Sequence, residues 1–202
     1  MTTRTLTRRA VLVAVTASAA LLLSACGGDT DSHGSHAPAA PSASTTATAH
    51  NAQDTAFAQG MVPHHQQALE MARLAADRAS SDRVKDLAAR IEKAQGPEIR
   101  TMSGWLKAWG EQLPMAGMDH SGHAGMPGMM SDGDMAALKK ATGKEFDTGF
   151  LSLMVEHHQG AVEMAGTERD KGAYGPAKRM AGDIVTAQNA EIKEMKRLLG
   201  RS

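Results

Sequence analysis

The chain contains the same unit twice. Met61-Val62-Pro63-His64-His65-Gln66-Gln67-Ala68-Leu69-Glu70-Met71-Ala72 returns as Met154-Val155-Glu156-His157-His158-Gln159-Gly160-Ala161-Val162-Glu163-Met164-Ala165, 93 residues on. The same offset aligns Asp54 with Asp147, Phe57 with Phe150, and Ile91, Gln95, Glu98, Met102 and Leu106 with Ile184, Gln188, Glu191, Met195 and Leu199. No gap is needed between Asp54 and Leu106. Two copies are too few for a solenoid. Each copy reads as a helical hairpin, with helices over about 54–79 and 82–109, then 145–171 and 175–199, and a short extra helix near 132–141. Pro63 should bend the first helix or delay its regular start. Four helices in two hairpins predict an all-α four-helix bundle. The repeats are 54–109 and 147–200, with a flexible Met/His-rich linker over 110–146.

The helical phase, about 100° per residue, sorts the side chains. Phe57, Met61, His64, His65, Ala68, Met71, Ala72 and Ala75 share one inward arc. Their counterparts are Phe150, Met154, His157, His158, Ala161, Met164 and Ala165. The second helix should turn in Leu87, Ile91, Ala94, Gln95, Glu98, Met102 and Trp105. The fourth should turn in Met180, Ile184, Ala187, Gln188, Glu191, Met195 and Leu198. A Gln and a Glu in such a stripe are costly unless partnered. Folding each hairpin at its turn places Glu98 level with His64 and Met102 near Met61. It likewise places Glu191 level with His157 and Met195 near Met154, to within about one helical turn. Four His, two Glu and four Met then meet at one level. Thioether suits Cu(I), and imidazole suits Cu(I) and Cu(II). The expected metal ligands are therefore these residues together with Met71 and Met164, with Cu(I) preferred and Cu(II) accepted. Glu98 and Glu191 serve as ligands or as hydrogen-bond partners of the imidazoles. The alternative is a buried structural His–Glu pair.

The linker repeats the chemistry. Met115, Met118, His120, His123, Met126, Met129 and Met130 are spaced by Gly, Ala, Ser and Pro. Such a segment reads as a weaker capture site for the same metal. The chain has 14 Met but only six aromatic residues (three Phe, two Trp and one Tyr).

The N-terminus reads as an export signal. Arg4, Arg8 and Arg9 precede an uncharged run from Ala10 to Leu23, too short for the roughly 20 residues of a membrane-spanning helix. Leu23-Ser24-Ala25-Cys26 resembles a bacterial lipobox, and Cys26 is the chain's one cysteine. Residues 1–25 are thus expected to be removed and Cys26 lipidated. Residues 26–50, rich in Ser, Thr, Ala and Gly and carrying His33 and His36, would tether the 51–202 bundle. The protein would be exported and anchored by lipid to the outer face of the cytoplasmic membrane, or be periplasmic. Lys+Arg and Asp+Glu both number 22, which argues against a nucleic-acid partner. The lone cysteine rules out an intrachain disulfide.

The His-His-Gln segments and the Gly-Met-Pro-Gly-Met-Met linker resemble the DUF305 family of exported bacterial proteins, over about Asp54 to Leu199. The resemblance implies a ferritin-like helical bundle and, for some members, an association with copper. Its pattern, M-x-x-H-H-x-x-A-x-x-M-A, falls on Met61, His64, His65 and Met71 and on Met154, His157, His158 and Met164. Three functions stay open. One is a copper-binding lipoprotein that sequesters the metal or delivers it, with room for a copper-handling partner protein. The second is a ferritin-like metal oxidase or oxidoreductase, although Glu-x-x-His, normal in di-iron bundles, is absent. The third is a structural lipoprotein with core histidines.

Overall fold

The computed structural model describes residues 49–114 and 126–200. The signal, Cys26, His33 and His36 lie outside the described residues, as do Met115, Met118, His120 and His123. The chain is all-α: α1 (Ala52–Arg78), α2 (Asp82–Trp109), α3 (Asp132–Lys140), α4 (Gly143–Lys171) and α5 (Gly175–Leu198). Local chemistry sets the ends. The Asn51 side chain accepts from the backbone N–H groups of Gln53 and Asp54, and Asp54 accepts from the Asn51 N–H at 2.6 Å. This reciprocal cap starts α1. Ser131 and Asp134 build the same cap on α3. Gly110, left-handed at φ 75°, ends α2. The late start that Pro63 could impose is not what forms. α1 is a single helix that starts well before Pro63, and burial of Val62, Pro63 and His64 favours the helical form over the local proline penalty. The 110–146 linker ends in ordered structure, because α3 and the first turn of α4 fall within it.

α1 packs on α2, α4 on α5, and α1 against α4, so the two hairpins meet through their first helices. Arg90 of α2 reaches Glu194 of α5 with both carboxylate oxygens at 2.7 Å. Each hairpin also holds the turn of the other. Asp147, at the start of α4, accepts from Ser80 and Ser81 in the α1–α2 turn. Asp54, at the start of α1, accepts from the N–H groups of Ala173 and Tyr174 in the α4–α5 turn. The two contacts are related by the repeat offset, so one aligned aspartate does the same task twice. No described helix is long and apolar enough to cross a membrane.

The apolar core falls into two clusters. One takes Phe57, Ala58, Met61, Met102, Leu106, Ala161 and Ile184. The other takes Ala68, Met71, Leu87, Ile91, Phe150, Met154 and Met195. Along all four long helices the break between clusters falls at the same level, at His64–His65, Gln95–Glu98, His157–His158 and Gln188–Glu191. A polar layer therefore crosses the middle of the bundle. Ala94 and Ala187, expected inside, are exposed. They lie at the edge of stripes centred on Ile91 and Gln95 and on Ile184 and Gln188, and the neighbouring helices do not reach that far around.

Candidate metal centre

All four histidines of the layer are fully buried. Their rings run in a row, His65–His64–His157–His158, with centroids 6.5, 3.7 and 6.5 Å apart. The row reads the same from either end, as the duplication requires. Its outer members meet carboxylates: His65 Nε2 lies 2.8 Å from Glu98 Oε2, and His158 Nε2 lies 2.8 Å from Glu191 Oε2. Glu98 thus faces His65 rather than His64, and Glu191 faces His158 rather than His157. The depth expected from the hairpin turns is off by one position in each copy.

These bonds fix the tautomers. A carboxylate accepts, so His65 and His158 donate through Nε2, and as neutral imidazoles they carry a bare Nδ1. His64 Nε2 lies 3.2 Å from the Pro127 carbonyl, so it too donates there and leaves Nδ1 as a lone pair. All four Nδ1 atoms are buried without a protein partner, and His157 lacks one at Nε2 as well. Gln95 Oε1 and Gln188 Oε1, in the same layer, are equally unpartnered. Among the described residues, every other such atom belongs to Glu168. Each orphaned buried group costs about 1–3 kcal/mol. A layer of inward acceptors is what a cation would satisfy, and unprotonated imidazole is the form that binds metal. Met61 and Met154, one turn before His64 and His157, are fully buried beside the layer, as are Met102 and Met195, one turn after Glu98 and Glu191. The donors are not gathered into a cage. Among the described residues, no three His, Cys, Asp or Glu side chains converge on one point. The set is a row of imidazoles bordered by thioethers, which fits soft monovalent ions of low coordination number better than a tetrahedral zinc site.

Electrostatics keeps the inner rings neutral. Burial, then the neighbouring His65, pushes the His64 pKa down to about 3. Burial, then His64, holds His157 well below the ordinary value of 6.5. At the bundle end Glu168 is pushed the other way. Burial, then the nearby Asp54 carboxylate, raises it to about 8. Burial would raise Asp54 as well, but the neighbouring Glu168 and hydrogen bonds from the N–H groups of Asn51, Tyr174 and Ala173 hold it low. These shifts set the pH profile of stability. Below 6.5 the unfolded chain protonates His64 and His157 while the folded chain does not. Stability should therefore fall with falling pH, by about 1.4 kcal/mol per pH unit for His64 down to about 3, and His157 adds a loss in the same direction. Glu168 stays protonated in the fold while its unfolded form ionises above 4.5, so its contribution is lost as pH rises from 4.5 to about 8. Urea unfolding of the metal-free chain should show a maximum near pH 6.5. His157→Leu should shallow the acid side, and Glu168→Gln should flatten the alkaline side.

A strap crosses the layer from outside. Gln67 clamps Met130, donating to its carbonyl at 3.0 Å and accepting from its N–H at 2.8 Å. Gly128, at φ 76°, lies on the backbone of α4, where a Cβ would come within 2.8 Å of the Glu156 and His157 carbonyls. A Cβ at Gly160 would overlap the Pro127 carbonyl and stand 2.7 Å from Gly128 Cα. Gln67 and Gly160 occupy equivalent positions in the two copies. They differ because one strap can serve only one side of a two-fold arrangement. That is also why His64 has the Pro127 carbonyl and His157 has no partner. Neither Gln67, Pro127 nor Gly160 stands out in the sequence as a site residue. The available signal is the break in an otherwise matched motif, Gln-Gln against Gln-Gly.

Other expected ligands lie apart from the layer. Met71, two turns beyond His64, is fully buried in an apolar cluster, and Met130 joins the same cluster. Met130 is therefore not an exposed loop thioether: the Gln67 clamp pins its backbone and turns its side chain into the core. Met126, Met129 and Met164 are half-buried.

Fold and site together define a class: a duplicated helical-hairpin bundle with a buried histidine–carboxylate layer across its middle. The chain belongs to the DUF305 family, whose model, described as a domain of unknown function, matches residues 54–199. It is similar to a DUF305 protein from Streptomyces coelicolor described as a candidate secreted protein, at 36% identity and TM-score 0.67, over 73% of this chain and 92% of that one. A DUF305 fragment from Deinococcus radiodurans matches at 36% identity and TM-score 0.67, over 75% of this chain and 98% of that one. CopM in its Cu(II)-bound form matches at 35% identity and TM-score 0.64, over 73% and 95%. CopM is also known in Cu(I)-bound and Ag-bound forms. No curated protein matches the chain.

Proposed function

We propose that the protein is an extracytoplasmic copper-binding lipoprotein that sequesters or delivers copper through Met and His side chains. The observation that carries this reading is the row of buried imidazoles with unpartnered Nδ1 atoms, bordered by four buried thioethers. The inner ligands are His64, His65, His157 and His158 with Met61 and Met154, and Met102 and Met195 come next. Glu98 and Glu191 orient the outer imidazoles and raise their basicity, a supporting role that leaves them available to Cu(II). The copper- and silver-bound forms of CopM support a copper-handling role for a relative of this one. Copper is cargo here, with Cu(I) favoured over Zn(II) because thioether is a soft, uncharged donor. Competitive titration of the full chain with Cu(I), Cu(II) and Zn(II) tests this. Stoichiometric Cu(I) binding that a Zn(II) excess does not displace is the expected outcome. Equal or stronger zinc binding would reject it.

Export and lipid attachment at Cys26 follow from the Leu-Ser-Ala-Cys sequence behind its apolar run, and the secreted description of the Streptomyces relative supports export. Cys26→Ala should move the protein from the membrane fraction to the soluble one. Unchanged membrane retention would reject the anchor.

A further inference from the structure

We propose that Met126 and Met164 form a second, outer thioether site for a soft monovalent metal ion, in the cleft between α1 and α4. This rests on the copper reading above and adds an entry point to it. Gly60 lines the cleft. A Cβ placed there would stand 3.6 Å from Met126 Sδ and 3.7 Å from Met164 Sδ, so the two sulfurs approach the same point from different segments. One comes from the strap and the other from α4. The cleft has a volume of about 290 Å³ and is lined also by Gln53, Phe57 and Glu163.

The cleft departs from the internal repeat. The position equivalent to Gly60 is Leu153, whose side chain would fill this space. The position equivalent to Met164 is Met71, which is fully buried in apolar core. The second copy's methionine is instead half-buried at a cleft that Gly60 helps to line. Two neutral thioethers suit Cu(I) or Ag(I), and Glu163 supplies a negative charge at the rim. The strap that carries Met126 also carries Pro127, whose carbonyl holds His64. The outer site is thus one residue from the contact that covers the inner layer. An ion held there sits where it can pass to the imidazoles by exchange of ligands, with no change of oxidation state.

The experiment uses the full chain labelled with 13C at the methionine methyl groups and titrated with Ag(I), a redox-inert probe. The Met126 and Met164 methyl resonances should move together. They should do so also in a His64→Leu/His157→Leu background, because the outer pair does not need the layer. Met126→Leu should abolish the Met164 response, and Met164→Leu the Met126 response, each weakening the site by at least about tenfold. Leucine conserves volume and should leave the fold intact. Fixed Met126 and Met164 methyls while Met61 and Met154 respond would overturn this proposal and leave the inner reading standing. A response at only one of the pair, or its loss in the His64/His157 background, would also overturn it. Silent Met61 and Met154 methyls with a moving outer pair would instead reject the inner reading alone.

Discussion

His157→Leu should make the metal-free protein more stable and its copper binding much weaker. Most core substitutions destabilise. This one removes a ring whose two nitrogens are both buried without a partner. No side chain is left unpaired, since the group that favours a proton on the His157 ring is the His64 backbone. Leucine removes the orphaned polar atoms and keeps apolar contact in a layer that adjoins Met61 and Met154. The expected gain is about 1–3 kcal/mol, the cost of an unsatisfied buried group. Cu(I) affinity should fall by at least about 100-fold, the upper end of the loss from removing even a supporting partner of a metal ligand. Urea unfolding of metal-free protein checks the first effect, and competition with a chromophoric Cu(I) chelator checks the second. A histidine that served only the core would give the opposite stability sign and no change in affinity.

Gly160→Ala should act through the strap, and a second glycine on the same helix provides the control. A methyl at Gly160 would occupy the place of the Pro127 carbonyl. The strap must lift, which breaks the His64–Pro127 contact and strains the Gln67 clamp on Met130. Forcing a methyl into such a closed contact costs about 1–3 kcal/mol. At Gly166, further along α4, a methyl would meet nothing within 4 Å. There alanine only improves helix propensity, so Gly166→Ala should stabilise by about 0.5–1 kcal/mol. The same chemical change on one helix should thus have opposite signs. Amide exchange at Met130 should speed up in Gly160→Ala alone. Equal effects of the two substitutions would mean that the strap is not seated on α4.

Much of the fold is readable from the repeat. Recurrent matches at a fixed offset, with no gap from Asp54 to Leu106, leave helical hairpins as the simple reading, and α2 begins and ends where expected. The inward placement of His64, His65, His157 and His158 follows from helical phase. Folding the hairpin at its turn does not resolve depth to a single residue, so it sets Glu98 beside His64 although Glu98 pairs with His65. The role of Asp54 and Asp147 is invisible in the sequence for a different reason. Each clamps a turn in the other hairpin, and no periodicity within one helix reports such a contact. The strap is hidden because its meaning lies in a difference between the copies, Gln67 against Gly160, while a repeat is recognised by what its copies share. Met130 resembles a loop ligand because its sequence neighbours are polar and small. Its burial depends on Gln67, 63 residues away.

The central claim is that unprotonated Nδ1 atoms of the layer hold the metal, and imidazole 15N NMR of the full chain tests it atom by atom. In the metal-free protein His64, His65 and His158 should each show a protonated Nε2 and a bare Nδ1. Titration with Cu(I), which is diamagnetic, should shift the Nδ1 resonances of the layer while Nε2 of His65 and His158 stays protonated against Glu98 and Glu191. If those Nδ1 resonances stay unchanged while Cu(I) binds elsewhere on the chain, at His33, His36, His120 or His123, then the four buried histidines are core residues and the account is wrong.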